Sequence, residues 1–125
     1  MHVREWKRIA EREATRYREH KAFLRGVEDA GGAVTERYRN SARWVKAIDD
    51  VLFYLHQNNG EQERFFRALF GIDGKRRYRG EKGMTALSFE FCVSVSQLYH
   101  WKSELLSLLL LAAVQAGALL PYQPE

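Results

Sequence analysis

Proline is almost missing from this chain. There are two in 125 residues, both after residue 120. Nothing before them removes a backbone N–H or fixes φ, so the rest is free to be helical. A single cysteine, Cys92, excludes an intrachain disulfide and fits a reducing compartment. Alternating apolar and polar residues are scarce as well. Residues 93 to 96, VSVS, form the only strand-like run, too short to compete with helix. No apolar run reaches the roughly 20 residues that a membrane-spanning helix needs. The longest, Leu105 to Leu120, is interrupted by Ser107, Gln115 and Gly117 and reads as a buried helix, so no membrane partner is expected. The first residues, MHVREWKRIAERE, carry charge throughout and lack the apolar centre of a secretory signal. A cytoplasmic protein is expected.

Signs of enzymatic chemistry are also lacking. No glycine-rich phosphate cradle or nucleophile elbow is present. His2, His20 and His56 have no partners at metal-ligand spacing. Asp49 and Asp50 read as a solvated helix face, and Cys92 as a buried turn residue. No enzyme, cofactor or metal is expected.

Apolar residues recurring at steps of three and four fill most of the chain. Residues 2 to 30 read as one helix, with Trp6, Ile9, Ala10, Ala14, Tyr17, Leu24 and Val27 on a thin stripe. A second helix runs from Thr35 to Asn58, apolar over two neighbouring faces and therefore covered on more than one side. Asn58-Asn59-Gly60 is a stop signal. A short third helix, Glu61 to Phe70, has its acids in the first turn, where they suit the helix dipole. Helices at about 83 to 92 and 95 to 117 follow, joined by a tight turn. The fold class expected is all-α, with long N-terminal helices and a C-terminal helix-turn-helix. Residues 1–60 form the N-terminal region, 61–120 the helix-turn-helix domain with a basic loop, and 121–125 a tail.

The helix-turn-helix expectation rests on residues 84 to 103. Such a unit needs apolar residues on the facing sides of both helices, a small residue where they cross, and a residue that tolerates a tight turn. Leu87, Phe91, Val93, Leu98 and Trp101 supply the apolar positions, Ser88 the small one, and Cys92 occupies the turn position usually held by glycine. Ser94 followed by Gln97 forms an S-x-x-Q capping box that sets where the second helix starts. Its spacing puts Leu98 and Trp101 inward and leaves Ser96, Gln97, His100 and Ser103 outward. Glutamine reads adenine bidentately and histidine donates or accepts at a base edge. These four are therefore the expected base contacts.

Charge is modest in total, net +4, but uneven. Residues 75 to 82, KRRYRGEK, hold five basic residues and one acid. The remainder balances at 15 against 15. Lys75, Arg76, Arg77, Arg79 and Lys82 are expected to grip phosphates and to give salt-dependent, sequence-independent affinity. The leucines at 105, 106, 108, 109, 110 and 111 surround nearly the whole helix, which suggests a self-association surface and a homo-oligomer.

The run VSVSQLYHWKSELLSLL at 93 to 109 resembles the second half of the helix-turn-helix in phage-encoded transcriptional regulators of the RinA/ArpU type, themselves similar to region four of bacterial sigma factors. Val93, Ser94, Leu98, Tyr99, Trp101, Lys102, Glu104 and Leu105 carry the pattern. ERFFRALF at 63 to 70 is similar to the short helix before that motif. Where the family often has Arg at the start of its second helix, this chain has Val95 and Ser96. The resemblance implies a sigma-like fold for about residues 61 to 115 and binding of double-stranded DNA, with Tyr99 and Lys102 joining the basic loop on the backbone. The alternative is an ordinary helical fold used for protein contacts, as in a small terminase-like packaging component or a factor docking on RNA polymerase.

Overall fold

The computed structural model describes residues 3–74 and 80–119. Six helices follow one another: α1 (Val3–Thr15), α2 (Tyr17–Asp29), α3 (Glu36–Asn58), α4 (Gly60–Phe70), α5 (Gly80–Phe91) and α6 (Val95–Gln115). No strand occurs among the described residues. None of these helices is long and apolar enough to cross a membrane.

The single helix expected over residues 2 to 30 is broken at Arg16, which has φ −95° and ψ 13°. The sequence just before the break explains it. The Thr15 hydroxyl donates to the Glu11 carbonyl at 2.9 Å, and such back-bonding by threonine bends helices. The Arg16 N–H is then shared between the carbonyls of Arg12 and Glu13. The break sends the two halves to different neighbours. α1 packs chiefly on α6, and α2 lies along α3.

The junction is fastened by a buried polar network. His20 places Nε2 2.7 Å from Glu13 Oε2 and Nδ1 3.0 Å from Ser41 Oγ, so α1, α2 and α3 share one set of hydrogen bonds. Glu13 also meets Arg12 and Arg16. Burial alone would raise its carboxyl. The His20 hydrogen bond and the surrounding positive charge outweigh that and hold it below its ordinary value of 4.5.

Local chemistry sets the other boundaries. Gly31, at φ 64°, takes the left-handed position after α2 that a Cβ would disfavour. The Thr35 hydroxyl accepts from Tyr38 N–H and starts α3. Asn58-Asn59-Gly60 proves to be a stop only one residue wide. α3 ends at Asn58, and the Asn59 side chain already accepts from Gln62 N–H to start α4 at Gly60.

One core holds residues from all six helices. α6 packs on α3, α1, α5 and α4. This accounts for most of the leucine run: Leu105, Leu106, Leu109 and Leu110 are buried, Leu108 is half-buried, and Leu111 stands exposed. Each buried leucine contributes roughly 1.5–3 kcal/mol. Much of the apolar surface expected to serve self-association is thus covered by the chain's own helices.

Candidate nucleic-acid interface

α5 and α6 are joined by Cys92, Val93 and Ser94. Cys92 has φ 56° and is the only non-glycine residue with positive φ among those described. It holds the left-handed conformation that makes glycine common at such a turn. Its side chain is exposed, which corrects the expectation of a buried cysteine. Phe91 and Val93 on either side fill the inward positions instead, buried and half-buried. The thiol turns back to the Phe89 carbonyl at 3.7 Å.

Ser94 then caps α6 as expected, its hydroxyl accepting from Gln97 N–H at 3.0 Å. Ser88, the small residue on α5, is half-buried, and its carbonyl accepts from Val93 N–H. Leu87 and Leu98 are fully buried. Phe65 of α4, Phe91 of α5 and Trp101 of α6 meet edge-to-face, with ring centroids 5.7–6.4 Å apart. Such pairs add about 0.5–1.5 kcal/mol each beyond area burial. They hold the three helices in one arrangement, and Arg64 lies over the Phe91 ring.

The expected base contacts fall into two groups. Ser96, Gln97 and His100 are exposed on the first turns of α6. Ser96 and Gln97 present neutral hydrogen-bonding groups outward. His100 sits 2.6 Å from Glu104 one turn on. Ser103 is exposed too, but its hydroxyl accepts from Lys7 Nζ of α1 at 2.9 Å.

The expected backbone contacts also divide. Lys82 is exposed in the first turn of α5, and Tyr99 is 44% exposed. Lys102 is half-buried and paired with Glu11 of α1 at 2.8 Å. Lys75, Arg76, Arg77 and Arg79 lie outside the described residues.

Two sets of residues escape a reading of the sequence. Lys7 and Glu11 reach α6 across more than 90 positions, and no local signal announces that. Glu13 and His20 had one: seven residues apart, they lie two turns apart on one face if the helix is nearly continuous. Asp49 and Asp50 act separately. Asp49 accepts from the Tyr17 hydroxyl at 2.6 Å, and Asp50 pairs with Lys46. Among the described residues no group of three His, Cys, Asp or Glu side chains could hold a metal ion.

No protein-family model, no curated protein and no solved structure matches this chain.

Proposed function

We propose that the chain binds double-stranded DNA, using α5, the turn and α6 as a helix-turn-helix with the start of α6 in the major groove. A transcriptional regulator of the phage type is the reading that the resemblance of residues 93 to 109 adds. One observation carries the proposal. The left-handed Cys92, the Ser94 cap and the apolar residues at 87, 91, 93, 98 and 101 together turn α6 so that Ser96, Gln97 and His100 face outward. That is the part of a recognition helix that reaches base edges. Ser103 and Lys102 are weaker candidates, since α1 already engages both.

Binding-site selection with Gln97→Ala tests the reading. The expected result is relaxed preference at one or two base positions, about 1–3 kcal/mol of discrimination, with an unchanged melting temperature. Intact preference in a well-folded variant removes Gln97 as a reader.

A second reading is contact with a partner protein such as RNA polymerase. Phe89, 80% exposed on α5, favours it, as does the lack of a free cation on the exposed start of α6. Under that reading Phe89→Ala abolishes partner capture and leaves DNA binding alone.

A further inference from the structure

Ion pairs three or four residues apart recur in this chain. Arg16 meets Glu19, Arg39 meets Glu36, Lys46 meets Asp50 and Arg67 meets Glu63. α2 breaks the habit on one face. Arg18, Lys21 and Arg25 stand at successive turns, exposed, with no carboxylate partner among the described residues. Lys21 touches only the Tyr17 ring, at 5.4 Å. Like charges at such spacing destabilise a helix slightly.

All three cations line one cleft of about 650 Å³ between α2, α3 and the end of α4. Arg67 stands in the same cleft, with Leu52 and Ile72 as buried apolar floor. Two carboxylates also line it. Asp73 is bound to Arg67 at 2.7 Å and Asp49 accepts from Tyr17. Arg67 is also engaged by Glu63, and the four cations still outnumber these three carboxylates, which leaves the cleft positive. Along α2 the rise from Arg18 to Arg25 is about 10 Å. A nucleic-acid strand presents one charge per roughly 3.4 Å, so the row from Arg18 to Arg25 spans about three phosphate-to-phosphate steps.

We infer that this cleft is a binding site for a short run of phosphate groups, supplied by a nucleic-acid strand or by a free polyphosphate such as a nucleotide. Arginine and lysine donate charge-assisted hydrogen bonds to the phosphate oxygens. Leu52 and Ile72 form the base of the cleft beneath these exposed cations. None of these residues lies in α5 or α6, so the site stands apart from the base-reading proposal and survives its failure.

The test titrates the full chain with inorganic tripolyphosphate by calorimetry, and with a labelled mixed-sequence duplex by anisotropy. The variant is Arg18→Gln with Arg25→Gln. A charge-matched control is Arg4→Gln with Arg8→Gln, two exposed α1 cations outside the cleft. The cleft variant is expected to lose at least about tenfold in tripolyphosphate affinity while the control stays within twofold. If duplex affinity falls in parallel and the salt slope drops by about two contacts' worth, the natural source is a nucleic-acid strand. If duplex binding is untouched, it is a free polyphosphate. Failure of the unaltered chain to bind tripolyphosphate, or equal loss in both variants, overturns the inference.

Discussion

Replacing Cys92 by glycine removes a Cβ from a left-handed turn. An L-residue held there costs roughly 1–2 kcal/mol. Glycine returns about 0.4–1 kcal/mol of that through its greater freedom in the unfolded chain. Little packing is lost, because the side chain is exposed and its 3.7 Å contact to the Phe89 carbonyl is weak. The net expectation is a gain of about 0.5–1 kcal/mol. With an unfolding entropy of about 2.1 cal/mol/K per residue, a chain of this length shifts its Tm by roughly 4 °C per kcal/mol, so the rise is about 2–4 °C. Cys92→Val serves as the opposite case. A β-branched residue at positive φ is an outlier, and the added strain of about 1–2 kcal/mol lowers Tm by roughly 4–8 °C. Thermal melts followed by circular dichroism read both. A fall for glycine, or no change for valine, refutes a left-handed turn at this position, and with it the geometry on which the α6 proposal rests.

Trp101→Ala is expected to destabilise the chain by about 3 kcal/mol, because it opens the contacts with Phe65 and Phe91; urea melts measure it, and Trp101→Phe recovers most of the loss. Glu13→Gln weakens the network at the α1–α2 break by about 1–3 kcal/mol at neutral pH. The folded Glu13 carboxyl lies below its ordinary value of 4.5, so its stabilisation is complete above that value and disappears as pH falls through the folded one. The stability gap between the unaltered chain and Glu13→Gln is therefore wide at pH 7 and narrows as pH falls below the ordinary value of 4.5 and through the lowered folded one; a gap independent of pH contradicts the account.

The elements were legible where chemistry is local. Thr35 and Ser94 mark helix starts because each has a side-chain oxygen able to take an orphan N–H, whereas Asn59, which reads as part of a stop signal, turns out to cap α4 in the same way. Leu87, Phe91, Leu98 and Trp101 were legible as inward residues because helical spacing dictates the face. The break at Arg16 was not, since threonine back-bonding competes with a strongly helical sequence on either side and leaves no glycine or proline as a mark. The exposure of Cys92 was missed because its size suggested burial, whereas its backbone conformation decides its direction. The fate of the leucine run was unreadable for a different reason. Which faces of α6 are covered depends on where α1 and α3 pack, and those contacts join residues far apart in sequence.

The same long-range packing narrows the candidate interface. Lys7 and Glu11 lie one turn apart on α1 and engage Ser103 and Lys102 on one turn of α6. N-terminal to that brace, the first two turns of α6 carry outward polar groups free of α1. Hence Ser96, Gln97 and His100 are the base-reading candidates that the packing leaves, and Lys102 is committed to an internal ion pair. The break at Arg16 makes this possible, since α1 and α2 rest on different helices and could not do so along one straight axis. The brace has an electrostatic consequence. With Lys7 and Lys102 both occupied by α1–α6 contacts, the exposed start of α6 offers neutral hydrogen bonds and almost no charge. Affinity for a polyanion would then come from cations elsewhere, among them Lys82 at the start of α5 and the unpaired arginines of α2. Binding in which bases are read at one place and phosphates gripped at another separates specificity from salt dependence. On this argument the loss of Gln97 alters preference without changing the salt slope, whereas the loss of Arg18 and Arg25 can change the slope without altering preference.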